Sequence, residues 1–195
     1  SVIHKQNSVA EYVLEGTVNG AGSALQWIKQ ACQIEGLRKH LPGWLEENSD
    51  PPLFLNGISG LGSPYWIPDF RSEFMGESDI PGKVVAVVES IVFLLNRNLA
   101  EMSKYLKAPE RIQVSGGLSS LDAICRLLAD LAGIPVYRPV HREATARGTC
   151  YLLAGRPDQW EEQAPGDLFE PAEDLSLSCR YNRWQEEMEK RVGEY

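Results

Sequence analysis

Three stretches of the chain carry apolar residues every three or four positions, and this spacing predicts helices over residues 21–34, 83–107 and 121–132. The middle stretch is the longest, and its stripe of valine, isoleucine and leucine has further apolar side chains beside it. It therefore predicts a central buried helix. Glu89 lies in this stretch, and we expect it to mark the less buried face rather than to contact a binding site.

Short apolar or alternating runs between these helices predict strands over residues 12–18, 53–55, 111–115 and 136–138. Pro42 and Gly43 are expected to close the first helical unit, since both residues disfavour helix. Another helix is expected to begin near Thr145.

The region around that last helix and beyond it leaves two questions open. Small residues at 146, 148 and 150 allow close packing of the helix on a sheet, and a functional role is equally open. Beyond Gly155 the sequence becomes acidic, until a charged helix is predicted from Arg180 to Arg191. Trp184 and Met188 are expected to dock this helix on the rest of the protein.

The composition is typical of a soluble globular protein. Of 195 residues, 43% are apolar and 24% are charged. No apolar run approaches the roughly 20 residues that span a bilayer, and residues 1–8 lack the regions of a signal peptide. We therefore expect a cytoplasmic protein with no membrane partner. Because the chain begins with Ser1 rather than Met, we expect a piece of a longer protein, although trimming would explain the same fact.

Charge and metal-ligating residues restrict the possible partners. A net charge of −8 without a Lys/Arg cluster argues against a nucleic-acid partner. A bound polyphosphate would have to rely on local dipoles and a metal ion. The scattered cysteines favour buried structural thiols over disulfides or metal ligands, and the isolated histidines predict no zinc site. These residues are Cys32, Cys125, Cys150, Cys179, His4, His40 and His141.

The strongest candidate for chemistry is the glycine turn, residues 115–122, which joins a predicted strand to a predicted helix. Gly116 and Gly117 let a phosphate approach the backbone closely, and the following helix start offers unpaired N–H groups. Ser119 and Asp122 have capping-box spacing, which predicts the helix start about two residues after the glycines. The geometry suits a diphosphate, but an ordinary tight connection is the alternative.

A second glycine-rich segment, residues 57–68, has neither helical nor strand periodicity. Tyr65 and Trp66 stand beside prolines in it. We expect a packed loop whose two aromatic rings fill the core, in preference to rings that stack on a ligand.

Four ordered segments resemble the C-terminal half of the FGGY carbohydrate kinases, and the glycerol kinase branch more than the pentulokinases. Residues 12–18 and 22–27 resemble Y-x-L-E-G-x-x and G-x-x-x-Q-W, and residues 60–71 resemble G-L-x-x-P-Y-W-x-P-x-x-R. The glycine turn with its helix resembles the adenosine-binding turn, and residues 143–148 resemble E-x-T-A-x-G. Together these segments cover most of residues 11–155.

The resemblance implies an α/β domain of the actin-like ATPase, ribonuclease-H-like fold, the C-terminal domain of a two-domain sugar kinase. It implies that residues 1–155 bind the nucleotide, while residues 156–195 form an acidic segment and a helix on the same domain. ATP and Mg²⁺ are the implied cofactors, and the protein itself supplies no metal site. The residues implied to bind the nucleotide are Gly22, Gln26, Gly116, Gly117, Ser120 and Leu121.

Leu121 and Asp122 depart from the family pattern, since glycerol kinases usually carry Asn at both positions. Leucine offers an apolar wall without a hydrogen bond, so base specificity is expected to relax. Ile67, Phe70 and Ser72 also depart from the glycerol kinase pattern, and they weaken glycerol as the assigned substrate.

The resemblance places the catalytic Asp, in a G-D-Q motif, upstream of residue 1, with most sugar contacts. We therefore expect no catalytic residue here, and the chain alone to be inactive. The expected partners are an N-terminal kinase domain and a polyol or sugar, glycerol-like by preference, and self-association is open. The alternative function is a non-catalytic actin-like module that binds a nucleotide or a protein.

Overall fold

A computed structural model describes residues 2–6, 9–158, 160 and 165–195 of the chain. These residues form helices and short strands, in pairs up to residue 75 and in alternation after it. The helices are α1 Ala21–Ala31, α2 Leu37–Glu47, α3 Ile80–Met102, α4 Asp122–Ala132, α5 Ala144–Leu153 and α6 Leu175–Val192. The strands are β1 Val2–Gln6, β2 Val9–Tyr12, β3 Leu53–Leu55, β4 Glu73–Met75, β5 Ile112–Gln113, β6 Val136–Arg138 and β7 Asp167–Phe169.

The strands form small sheets. β1 pairs with β2, and β3 pairs with β4, both antiparallel. β5 and β6 are parallel, while β7 adds to the other side of β6 in antiparallel direction. α4 is the crossover between the two parallel strands, so the glycine turn leaves the end of β5 and enters α4. This arrangement places the turn at one end of the three-stranded sheet.

Helix α3 lies at the centre of the molecule, as its apolar pattern predicts. Nearly every residue from Val84 to Leu94 is buried, on all sides of the helix. Asp79 caps the helix, because its Oδ1 accepts a hydrogen bond of 2.9 Å from the N–H of Gly82. On one side α3 packs with α1, α2 and α4, and on the other it packs with β3 and α6. Both walls of the site described below are therefore fixed against one helix.

The C-terminal helix α6 is anchored by its aromatic and apolar face. Trp184 is fully buried, and its indole Nε1 donates to the carbonyl of Phe54 at 3.0 Å. The ring also packs against Phe93, with centroids 5.5 Å apart. Met188 is buried in the same cluster. α6 thus completes a second apolar cluster beneath α3. The division of the chain at residue 155 stays a prediction.

The expectation that Glu89 marks the less buried face of α3 was wrong. Glu89 is 2% exposed and forms a buried ion pair with Arg180 of α6, with 2.6 Å between Oε1 and Nη2. Desolvation raises the pKa of the Glu89 carboxyl, although Arg180 opposes this rise. Arg180 also donates to the carbonyl of Ser49 and the hydroxyl of Ser176. The partner lies 91 residues away in sequence, so the local pattern of α3 gave no sign of it.

Four further predictions differ from the structure. Pro42 lies inside α2 and does not end it, because burial of Leu41 holds the helix on α3 despite the missing backbone donor. Residues 13–18 were predicted as part of a strand but lie outside β2, which ends at Tyr12. Trp66 is 66% exposed, whereas Tyr65 is half-buried beside the second cluster. Of the cysteines, Cys125 alone is buried, and all are free thiols.

No helix in the described part of the chain is both long enough and apolar enough to cross a bilayer.

The buried pair predicts a measurable effect on stability. Arg180→Met leaves the Glu89 carboxylate without its partner, and we expect the free energy of unfolding to fall by about 3–5 kcal/mol. The double variant Glu89→Leu/Arg180→Met removes both charges, so most of that loss should be recovered. Urea unfolding followed by circular dichroism measures both.

A matched control and a pH series sharpen this test. Arg183→Met removes an exposed pair with Asp50, which is 3.4 Å away, and should cost less than about 1 kcal/mol. In Arg180→Met the pKa of the Glu89 carboxyl should rise further in the folded state. A carboxyl with a raised folded-state pKa lowers the free energy of unfolding as pH rises from its unfolded pKa through its folded pKa. The loss should therefore be larger at about pH 8 than at about pH 5. Equal losses in the 180 and 183 variants would contradict a role for the buried pair.

Candidate nucleotide-binding site

A cleft with a volume of about 420 Å³ lies between α1, the start of α2 and the glycine turn. Its walls come from parts of the chain almost a hundred residues apart, which α3 brings together. Among the residues that line the cleft are Gly22, Gln26, Lys29, Arg38, Gly117 and Leu121. The volume lies within the usual range for small-molecule sites.

Four of the six residues predicted to bind a nucleotide line this cleft. They are Gly22, Gln26, Gly117 and Leu121. Gly116 does not line it, but its φ of +82° forms the bend that presents Gly117. Ser120 lines a smaller neighbouring cavity of about 190 Å³, which Leu121 also lines. The predicted residues therefore lie in one region, although two of them stand behind or beside the cleft.

The start of α1 faces the cleft and is open to an anion. Gly20, with φ of +68°, precedes the helix, and no side chain caps its first N–H groups. A Cβ at Gly20 would lie 2.0 Å from the carbonyl oxygen of Ile58, so this residue has to be glycine. The first turn carries no acidic side chain. Free N–H groups and the positive end of the helix dipole favour negative charge here.

The glycine turn also leaves space and donors for a ligand. A Cβ built on Gly22, Gly116 or Gly117 would meet no described atom within 4 Å. Within the described residues, the N–H groups of Gly117 and Leu118 are not paired with another group. The backbone of the turn can therefore approach an anion from the cleft side without a side chain in the way.

The predicted capping box does not form. Ser119 donates its hydroxyl to the carbonyl of Gly116 at 2.7 Å, and a short 3₁₀ turn, Leu118–Ser120, precedes α4. Ser120 similarly donates to the carbonyl of Gly117 at 2.6 Å. Leu121 occupies the N-cap position of α4, so the helix begins later than predicted. The hydroxyls bond within the turn instead, as serine commonly does near helix starts.

Arg138 at the end of β6 holds the turn from behind, and sequence reasoning missed it. It is 7% exposed. Its Nη1 donates to the carbonyl of Ser119 and to Oδ1 of Asp122, both at 2.7 Å. Its Nε and Nη2 donate to Oδ2 of Asp167 at 2.9 and 2.7 Å. Burial lowers the pKa of Arg138, but these carboxylates outweigh it and raise the pKa above its ordinary value.

This network explains why Asp122 does not serve as a cap. Its carboxylate turns toward Arg138, which lies sixteen residues later in sequence. From the sequence, Arg138 was only the last residue of a short predicted strand, and no local pattern indicated that it is buried. Its three partners lie on the turn, on α4 and on β7, so the arginine joins three elements at one point.

Two cations in the cleft were also missed. Lys29 and Arg38 both line it, and neither forms an ion pair with a described residue. The only sequence signal was that Lys29 lies three residues after Gln26, on the same face of α1. Arg38 carried no such signal, because no helix was predicted over the residues that form α2. Two unpaired cations in an acidic chain provide a local positive potential.

Close packing was one of two possibilities left open for the helix near Thr145. α5 starts at Ala144 and buries none of its described residues. A Cβ at Gly148 would meet no described atom within 4 Å, so close packing inside this chain does not explain the small residues. Among the described residues, no group of three or more His, Cys, Asp or Glu side chains is arranged to hold a metal ion.

Comparison with known proteins identifies the family. A family model described as the FGGY family of carbohydrate kinases, C-terminal domain, matches residues 3–155. Glycerol kinase of Thermococcus gammatolerans is 30% identical over 205 residues, covering 96% of this chain and 40% of that relative. Glycerol kinase of Ralstonia nicotianae is 33% identical over 159 residues, covering 76% of this chain and 31% of that relative.

Solved structures agree on the fold. Plasmodium falciparum glycerol kinase with ADP superposes with a TM-score of 0.81 at 19% identity, covering 98% of this chain and 41% of that one. A ligand-bound xylulose kinase from Lactobacillus acidophilus gives a TM-score of 0.71 at 19% identity, covering 90% and 38%. The predicted actin-like α/β fold is thereby confirmed.

The chain spans about 40% of the length of the first of these relatives. The matched region is the C-terminal domain of that family, and both curated relatives are glycerol kinases. The chain belongs to the FGGY family of carbohydrate kinases.

Proposed function

We propose that this chain is the ATP-binding C-terminal half of a carbohydrate kinase that transfers the γ-phosphate of ATP to a hydroxyl of a polyol or sugar. The observation that carries the proposal is the cleft. Two distant segments that resemble nucleotide-binding motifs meet there, with open glycines on both walls and two unpaired cations among the lining residues. The relatives are kinases, which supports this function over a non-catalytic module.

The residues of the cleft fit a nucleoside triphosphate. The uncapped start of α1 and the free N–H groups of Gly117 and Leu118 would receive the phosphates. Gln26 would contact the nucleoside with its side-chain amide, and Leu121 would form an apolar wall. Mg²⁺ would be bound mainly through the phosphates, which suits a chain whose described residues form no acidic metal cluster.

ATP supplies the transferable phosphoryl group, and this chain contributes its position and charge environment. Phosphoryl transfer needs an acceptor in line, a positioned base and neutralisation of charge. The dipole of α1 and the cations Lys29 and Arg38 would supply part of the neutralisation. We propose that the base, a catalytic Asp, and most sugar contacts belong to the preceding domain, so that this half alone is inactive.

Glycerol is the preferred acceptor in this proposal, because the curated relatives are glycerol kinases. Two of the residues that depart from the glycerol kinase pattern have local structural contacts. Phe70 is buried, and the hydroxyl of Ser72 accepts a hydrogen bond of 3.0 Å from the N–H of Gly57. These contacts account for both residues without a role in acceptor choice.

Calorimetric titration of Mg-ATP into this chain and into the full-length protein tests the proposal. We expect binding by the full-length protein and weaker binding by this half, because the cleft would lack the phosphate contacts of the other domain. A screen of glycerol, xylulose and ribulose as acceptors would follow. If neither protein binds the nucleotide, the proposed kinase function is wrong.

Gly117→Val in the full-length protein should abolish detectable Mg-ATP binding. The added side chain would occupy the space that a phosphate must enter, yet the backbone φ of −62° and the empty surroundings allow it to fold. Gly43→Val on α2 is the control, because that glycine also has open space but does not line the cleft. Unchanged affinity in the Gly117 variant, measured by calorimetry, would count against this assignment.

Arg138→Gln should weaken Mg-ATP binding by about tenfold, because charged hydrogen bonds to the turn and to Asp167 are lost. Hydrogen exchange should become faster at residues 117–122, which separates loosening of the turn from loss of a direct contact. Arg126→Gln is the control, since Arg126 stacks on the same Phe169 ring that Arg138 contacts. Equal effects of the two variants would rule out a specific role for Arg138.

A further inference from the structure

A second cavity, with a volume of about 640 Å³, lies between α2, α4 and the start of α6. It shares no lining residue with the nucleotide cleft, and the proposed kinase function does not use it. Its volume lies within the usual range for small-molecule sites. We call it the acidic cavity, because four carboxylates and only two guanidinium groups line it: Glu46, Glu89, Asp122, Asp174, Arg126 and Arg180.

The most buried residues of the acidic cavity are the ion pair of Glu89 and Arg180, which are 2% and 6% exposed. Among the described residues, the Glu89 carboxylate accepts hydrogen bonds only from Nε and Nη2 of Arg180. A carboxylate has about four acceptor sites. Burial raises the pKa of the Glu89 carboxyl even with Arg180 beside it. A further donor or positive charge would therefore stabilise this carboxylate.

Both arginines of the acidic cavity are already engaged within the protein. Besides its paired carboxylate, Arg180 donates to the carbonyl of Ser49 and the hydroxyl of Ser176, at 2.8 and 2.7 Å. The guanidinium of Arg126 lies over the ring of Phe169, with 5.5 Å between Cζ and the ring centroid. An anion in the cavity would compete with these contacts and would also meet four carboxylates. The charges therefore disfavour an anionic ligand.

The less buried carboxylates of the cavity add negative charge that is only partly compensated. Asp174 caps α6, and its Oδ1 accepts a hydrogen bond of 2.9 Å from the N–H of Leu177. Its charge also raises the pKa of the Glu89 carboxyl, so the two anions repel each other. Glu46 on α2 is exposed and forms no ion pair with a described residue. An ammonium group, with three N–H donors, matches these acceptors.

The rest of the lining is largely apolar. Leu45 on α2 and Leu127 on α4 are half-buried, and Pro42 and Ala123 line the cavity with them. An apolar group that packs on these side chains would be removed from water, which favours binding. The cavity thus combines an apolar wall with a few acceptors, as small-molecule sites commonly do.

We propose that the acidic cavity binds a small organic amine, whose ammonium group lies beside Glu89 and Asp174 and whose apolar body packs on the α2 and α4 side chains. Glu46 adds to the negative potential that attracts the cation. The inference does not rest on the proposed kinase function, because it uses no residue of the nucleotide cleft.

Three probes with the same ring test the recognition of charge. Tryptamine carries an ammonium group, tryptophol a hydroxyl and indole-3-acetate a carboxylate, and each is titrated into the full-length protein by calorimetry. We expect tryptamine to bind with a Kd of about 1 mM or lower, which suits a ligand of this size. The alcohol and the acid should bind at least about tenfold more weakly, because they place no positive charge beside the carboxylates.

Two variants test the location of the site. Asp174→Asn should weaken tryptamine binding by about tenfold, and it should fold normally because Asn caps a helix as well as Asp does. Glu89→Leu/Arg180→Met removes the buried carboxylate without changing the net charge, and it should weaken tryptamine binding by a similar factor. Glu173→Gln is the control, because it removes one negative charge at the next position, outside the cavity lining. It should leave tryptamine binding unchanged.

Each other result overturns the inference. No detectable binding of tryptamine would show that the cavity is not a cation site, and equal binding of tryptophol would show that the positive charge is not recognised. Unchanged tryptamine affinity in either cavity variant would place the amine elsewhere in the protein. Equal weakening in Glu173→Gln would assign the effect to overall charge. None of these results concerns Mg-ATP binding, so failure here leaves the proposed function standing.

Discussion

The burial of α3 on all sides is the constraint on which the rest of the structure depends. An apolar helix of this kind is stable only when other elements cover it, and here α1, α2 and α4 cover one side while β3 and α6 cover the other. The cleft is a consequence of this packing. α1 carries one wall and the turn before α4 carries the other, and both helices are held in place by the same partner.

Because other elements surround α3, the charged side chain of Glu89 is buried away from water. Arg180 compensates this carboxylate from α6, and the two form a buried pair with several further hydrogen bonds. Arg138 plays a comparable part in the three-stranded sheet, where it joins the glycine turn, α4 and β7. In both places one arginine ties distant segments together, and in the second it shapes the wall of the candidate site.

Sequence patterns predicted the helices well where one face or all faces are apolar, as in α3 and α4. The family resemblance pointed to Gly22, Gln26, Gly117 and Leu121, which share one cleft in the structure. The patterns failed where a long-range contact overrode a local preference. Pro42 stays within α2 because Leu41 is buried, and Asp122 leaves its capping position for Arg138. Lys29 and Arg38 were missed because an unpaired cation has no local signature.

The sequence by itself carried the family resemblance in four ordered motifs, and it predicted the central helix and the glycine turn, because a helix follows apolar periodicity and a turn follows local backbone freedom. Only the tertiary structure decided which residues share a cleft, which charges are buried in pairs and which remain unpaired. Those properties depend on distances between segments far apart in the chain. Apolar periodicity indicates which face of a helix is buried, but it does not identify the element that packs against that face.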